Sequence, residues 1–197
     1  MIKLCFIDIE TTGTDPKKNG LVQLAGIIVI DGVEVDTFDF RLAPFEADII
    51  EDGALSVNGI KREDLAGFSP PREVYREFCD LLGQHVDKFN KLDKSFFVGY
   101  NARFDADFIR AWFEKCGDVY FGSWFWFPPI DVMNLALVSL MDKRATMPNF
   151  KLATVAKDLG LEPEGALHDA LTDIRLTQQL FNKLRGDNGT METAISG

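Results

Sequence analysis

Asp8 and Glu10 stand one residue apart inside an apolar run, LCFIDIETTG at residues 4–13. Side chains at i and i+2 share one face of a strand, so the pair sets two like charges side by side where even one is costly to bury. Two more stretches repeat the oddity. VGYNARFDADFI (98–109) places Asp105 at the first turn of a helix, and GALHDALTDI (165–174) places His168 and Asp173 at the start of another. If folding brings the four acids together, divalent cations are the partners that neutralise them. Hard oxygen donors suit Mg²⁺, with Mn²⁺ as a substitute, better than they suit zinc. Two such ions roughly 4 Å apart can clamp a phosphodiester, one activating the attacking water and the other stabilising the leaving oxygen. His168 would serve as general base, since a neutral imidazole titrates at about 6.5. Five residues turn a helix by about 140°, so His168 belongs on the approach to the helix and Asp173 one turn inside it. Asp169 lies four residues before Asp173 and competes with it as a ligand; its more modest part is to cap the helix.

The pattern of the chain predicts the elements that must position these groups. Residues 2–9 read as a buried strand and TTGTDPKKNG as a turn-rich loop. LVQLAGIIVI (21–30) and VEVDTFDFRL (33–42) are strands joined by Asp31-Gly32, a strong hairpin signal. The three form an antiparallel meander, and VGYN (98–101), preceded by SFF, is a short fourth strand. Helices dominate thereafter. SPPREVYREFCDLLGQHVDKF has a capping Ser69, prolines at its entry, and Val74, Phe78, Leu81 and His85 at helical spacing. FDADFIRAWFEKCG carries Phe104, Phe108 and Trp112 and stops at Gly117; NFKLATVAKDLG carries Leu152, Val155, Ala156 and Leu159 and stops at Gly160. A last helix runs from about Asp169 to Leu184. No repeat or linker divides the chain. The order predicts an α/β fold with a sheet of mixed direction and helices on its faces.

A chain of 197 residues with 46% hydrophobic and 26% charged residues suits one globular domain. No apolar stretch approaches the roughly 20 residues of a membrane span, and no signal peptide is read at the start. Cys5, Cys79 and Cys116 are odd in number and far apart, which predicts reduced thiols and a cytoplasmic setting. The net charge of −10 argues against a general binder of polyanions, except where acids hold cations that accept phosphate.

With the three acidic stretches in view, the chain resembles the DEDDh exonucleases, the group that includes proofreading subunits of replicative polymerases, ribonuclease T and oligoribonuclease. FIDIETTG, YNARFDADFI and HDALTD match the group's three motifs in order, with the His four residues plus one ahead of the last Asp. SVNGI (56–60) resembles a V-H-G-I segment, IDVMNLAL a strand-to-helix segment, and KLATVAKDLG a helix before the third motif. The likeness covers about residues 2–184. It implies a ribonuclease-H-like fold with a mixed five-stranded sheet, the antiparallel meander plus parallel strands, and helices on both faces. It further implies two Mg²⁺ or Mn²⁺ ions held by Asp8, Glu10, Asp105 and Asp173, with His168 as base. The activity implied is 3′-to-5′ hydrolysis at ends of single-stranded or frayed nucleic acid, DNA favoured, releasing nucleoside 5′-monophosphates. Thr11, Thr12, Val57, Asn101 and Phe104 fall at positions that meet the terminal nucleotide. Tyr100 and Asn58 stand where the group usually has His, which alters how the strand is held. The domain is expected over 1–185, with 186–197 a flexible tail. A homodimer and a polymerase subunit are both open. The rivals are an RNA-trimming or oligoribonuclease-like enzyme and, outside enzymes, an inactive docking module of a polymerase or repair complex.

Other suggestive residues carry plainer expectations. Asp131 reads as the cap of VMNLALVSL rather than a fifth ligand, and His85 as a partly buried helix residue. The stretch VYFGSWFWFPP (119–129) is expected to fill a core or an interface before it stacks bases. Lys17-Lys18, Lys61-Arg62 and Lys143-Arg144 read as solvated pairs, the first two placed to touch phosphates. GTDPKKNG lacks the phosphate-cradling pattern of a P-loop.

Overall fold

The computed structural model describes residues 1–163, 165 and 169–188. At its centre lies β1 (Lys3–Thr11), in a five-stranded sheet of order β3-β2-β1-β4-β5. β2 (Leu21–Ile30) is antiparallel to β1, and β3 (Val33–Arg41) is antiparallel to β2. The hairpin between them turns at Asp31 and Gly32, with φ of 49° and 85°. Both central residues of such a turn must be left-handed, and Asp-Gly meets that need with little strain. β4 (Ser95–Gly99) joins β1 in parallel, and β5 (Phe125–Asp131) joins β4 in parallel. The expected meander, fourth strand and mixed five-stranded sheet are all present.

The period of two along β1 divides the core into layers. Cys5, Ile7 and Ile9 pack with Val74, Phe78 and Leu82 of α2 (Pro71–His85) and Phe108, Ile109 and Trp112 of α3 (Ala102–Cys116). Leu4 and Phe6 face the other way. They meet Val132 and Ala136 of α4 (Val132–Ser139), Val155 of α5 (Leu152–Asp158) and Ile174, Leu180 and Phe181 of α6 (Ala170–Asn188). Helices therefore cover both faces. Asp8 and Glu10 continue the Leu4–Phe6 file, so they emerge on the α6 side where the apolar layer gives out.

Several elements depart from expectation. A short helix, α1 (Asp52–Asn58), takes in the first three residues of SVNGI and buries only Leu55; seven residues are too few for a periodic signal. Ser69 does not cap α2. Pro70 takes that position without a side-chain bond, while the Ser69 carbonyl accepts the Ala43 N–H at 2.9 Å and ties down the exit of β3. β5 begins within the aromatic stretch. Phe121, Trp124 and Phe125 are buried as core, whereas Tyr120 and Phe127 are 69% and 83% exposed. Pro128 and Pro129 fit this strand because it is an edge, where a missing N–H breaks no ladder. α6 runs to Asn188, past the expected helix end at Leu184 and the expected domain end at 185. The rest of the expected tail, 189–197, lies outside the described residues, as does His168. The three cysteines are free, and no described helix is long and apolar enough to cross a membrane.

Candidate active site

Each acid reaches the site from its own support. Asp8 and Glu10 come from the end of β1, opposite Ala25 and Gln23 of β2. Asp105 stands in the first turn of α3 and is 4% exposed. Pairing between β1 and β4 stops at Phe6 and Val98, so β1 runs on beyond its parallel neighbour. The Asp105 carboxylate fills that gap by accepting the N–H of Ile9, as well as its own N–H. Asp173 lies in the first turn of α6, its N–H bonded to the Asp169 carbonyl at 2.9 Å. α6 packs across β1 and β2, which carries Asp173 to the Asp8–Glu10 face. The opening is thus at the carboxyl end of the parallel strands, where open α/β sheets place their ligands.

The acids feel one another. Burial holds the Asp8 carboxyl well above the usual range, and Asp105, Asp173 and Glu10 push it further in that order. Glu10 is pushed up to about 8 by burial and by Asp173 and Asp169, against the pull of the Asn58 amide and Arg41. Burial also raises Asp105, opposed by its two N–H bonds and helped by Asp131 and Glu10. Asp8, Glu10, Asp105 and Asp173 are therefore brought together. They form an electrostatically coupled group rather than a closed cage: among the described residues, no three His, Cys, Asp or Glu side chains make a ready-made metal cluster. The donor set is all carboxylate oxygen, hard and anionic, and its mutual repulsion is relieved by a cation. In chemistry it fits Mg²⁺ or Mn²⁺.

The expected nucleotide contacts divide. Val57 is 62% exposed near the end of α1, Asn101 is exposed at the start of α3, and Phe104 is half-buried against Phe108, ring centres 4.8 Å apart. Thr12 faces inward instead. Its hydroxyl donates to the Ile49 carbonyl at 2.7 Å and accepts the Gly20 N–H, its own N–H goes to Gly20, and its carbonyl accepts from Glu51. Thr11 donates its hydroxyl to the Gly13 carbonyl at 2.6 Å. Both hydroxyls are spent on shaping the loop after β1.

Asn58 bonds both the Glu10 carboxylate and the Thr11 carbonyl, the latter at 3.2 Å. A hollow of about 680 Å³ opens beside it, lined by Arg41, Gly59, Ile60, Glu63 and Phe68 among others. Tyr100, at the other substituted His position, donates to the Phe150 carbonyl at 2.7 Å and anchors the approach to α5. Asp131 caps α4 through Met133 N–H, as expected, and also accepts the Asn101 N–H, both at 3.0 Å. That second bond holds Asn101 at φ 64°, in the left-handed region. Asn tolerates this conformation and β-branched residues do not. Asn101→Val should lower stability by about 1–2 kcal/mol while Asn101→Gly leaves it nearly unchanged; urea melts of the two variants check this. Asp169 caps α6 as expected, accepting Thr172 N–H at 3.2 Å. His85 ends α2 with its ring 3.3 Å from Asp36. The basic pairs are engaged at the surface: Lys18 with Asp15, Arg62 with Asp52, Lys143 with Asp158. Sequence reasoning passed over Gln23 and Arg41, which reach Asp169 from β2 and β3 at 3.3 and 3.0 Å; only the strand register reveals them.

A family model described as exonuclease, of the RNase T type, matches residues 5–181. The chain is 31% identical over 175 residues to a PolC-type DNA polymerase III of Thermotoga petrophila, covering 89% of this chain and 11% of the polymerase. It is 28% identical to the DNA polymerase III epsilon subunit of Aquifex aeolicus, covering 90% of this chain and 78% of that subunit. It is 27% identical to ribonuclease T of Vibrio parahaemolyticus, covering 89% and 81%. Among solved structures it superposes on the zinc-bound E. coli ExoI–ssDNA complex with a TM-score of 0.78 and 21% identity, over 96% of this chain and 42% of that one. The chain thus spans about a tenth of the PolC-type polymerases and under half of exonuclease I. The sheet and its two helical layers share the ribonuclease-H-like fold of that neighbour.

Proposed function

Because the chain belongs to the RNase T family of exonucleases, the DEDDh group, we propose that it removes nucleotides from 3′ ends of single-stranded or frayed nucleic acid, DNA favoured, and releases nucleoside 5′-monophosphates. One observation carries the reading: Asp8, Glu10 and Asp105 each have a raised pKa, through burial and through acids drawn from separate elements. Such groups cluster where chemistry is done. Asp8, Glu10, Asp105 and Asp173 would hold two Mg²⁺ or Mn²⁺ ions. Bound there, these ions supply an activated water and charge stabilisation at the scissile phosphate.

The chain supplies the rest. Asn58 fixes Glu10 and the Thr11 carbonyl, so it sets the wall against which the terminal nucleotide lies. Val57, Phe104 and Asn101 line the rim for its base and sugar, and Thr11 and Thr12 shape the loop beneath it. His168 takes the proton from the attacking water. Three free cysteines fit a cytoplasmic setting. The polymerase relatives favour work as a proofreading partner, alone, as a pair, or beside a polymerase.

The test is a 5′-labelled single strand incubated with Mg²⁺, Mn²⁺ or chelator. Stepwise shortening that stops in chelator, with mononucleotide products, is the expected result. Internal cuts, or equal activity in chelator, would overturn the assignment. Activity should rise through neutrality as His168 deprotonates, and His168→Ala should flatten that rise. The net charge of −10 favours short substrates over long polyanions, which keeps the oligoribonuclease-like rival in play. Matched DNA and RNA oligomers of graded length separate the two.

A further inference from the structure

Glu10, Gln23 and Arg41 are register partners on β1, β2 and β3, so their side chains form one row across the sheet. Gln23 is fully buried, and its polar atoms are all committed. Its Nε2 donates to Asp39 at 2.8 Å and to Asp169 Oδ2 at 3.3 Å, and its Oε1 accepts the Ala170 N–H at 3.4 Å. Arg41 Nη2 donates to the same Asp169 oxygen at 3.0 Å. The other Asp169 oxygen caps the helix through Thr172, and the Asp169 carbonyl bonds the N–H of Asp173. The start of α6 is therefore fastened to the sheet at Asp169 and Ala170, about a single turn before Asp173.

We propose that Gln23 and Arg41 are positioning residues that act through Asp169 to set where Asp173 stands relative to Asp8 and Glu10, and thereby set the affinity of the site for divalent cations. The inference rests on the reading that these acids hold cations. It differs from a simple charge effect in sign. Removing Arg41 strips a positive charge from beside the acids, which alone would tighten cation binding; a lost clamp loosens it. Partners behind the ligands commonly cost 10–100-fold in metal affinity when removed. The ion pair itself is partly exposed, 40% at Arg41 and 34% at Asp169, and adds at most about 1 kcal/mol to stability, so folding survives its loss.

The experiment compares wild type, Arg41→Ala, Gln23→Leu and Asp169→Asn, the last keeping a capping side chain. The first readout is the Mn²⁺ concentration at half-maximal thermal stabilisation. Arg41→Ala should raise it about tenfold with little change of melting temperature in chelator, and Gln23→Leu, which alters no charge, should raise it too. In the Asp169→Asn background, Arg41→Ala should raise it no further. The second readout is hydrogen exchange at the Thr172 and Asp173 amides in chelator, which should quicken in Arg41→Ala. An unchanged or lower Mn²⁺ midpoint, or a full Arg41→Ala effect in the Asp169→Asn background, overturns the proposal. If wild type shows no Mn²⁺ response, the cation-site reading is what fails; the exchange readout then decides the clamp on its own, and unchanged exchange overturns it.

Discussion

Asp8→Asn should abolish exonucleolysis, lowering the cleavage rate at least about a thousandfold, the loss expected of a ligand to the proposed catalytic cations. The substitution is nearly isosteric, and the Asp8 backbone keeps its pairing with Ala25 of β2, so circular dichroism should be unchanged. Asp8 is the acid that feels all the others: Asp105, Asp173, Glu10 and Asp169 each raise its pKa. An amide there removes the charge at the meeting point of three chain segments. Single-turnover cleavage of a labelled strand measures the effect. A variant that cuts as fast as wild type would mean that these acids are only a structural oddity.

The same acids should burden the fold when no cation is present. Glu10 titrates at about 8 in the folded chain against 4.5 as its ordinary value. Between those limits the folded chain keeps a proton that the unfolded chain has released. Stability from this group is therefore fully present below pH about 4.5 and is lost as pH climbs toward 8, at up to ~1.4 kcal/mol per unit. At pH 7 in chelator, Glu10→Gln should gain up to about 3 kcal/mol, or roughly 6–12 °C in melting temperature. Its pH profile should be flatter than that of wild type over the same window. Saturating Mg²⁺ or Mn²⁺ should stabilise wild type and narrow the gap, because ligand binding adds stability only where a site exists. Chelator melts at pH 5, 6, 7 and 8 test this; a variant no more stable than wild type at pH 7 contradicts it.

What could be read from the chain was what depends on near neighbours. The alternation around Asp8 and Glu10 is local to one strand, so their shared face was legible at once. The Asp31-Gly32 turn, the stops at Gly117 and Gly160, and the caps at Asp131 and Asp169 are likewise written in a few adjacent residues. What escaped depends on partners far along the chain. Gln23 looks like one polar residue in an apolar strand until register sets it between Glu10 and Arg41. Thr12 looks free beside a catalytic motif, yet Ile49, Gly20 and Glu51 claim all its polar groups. β5 hid among aromatics because Trp124 and Phe125 serve the core while Phe127 faces out, and composition cannot sort them. Ser69 looked like a cap, but the prolines after it start the helix without one.

The order of the acids along the chain has a consequence for biosynthesis. Asp8 and Glu10 emerge from the ribosome first, Asp105 after nearly a hundred more residues, and Asp173 only with the helix that packs back across the first two strands. Closing so long a loop is slow and entropically costly. A growing chain can lay down its meander early, yet the set of carboxylates is complete only once the last helix has been made and docked.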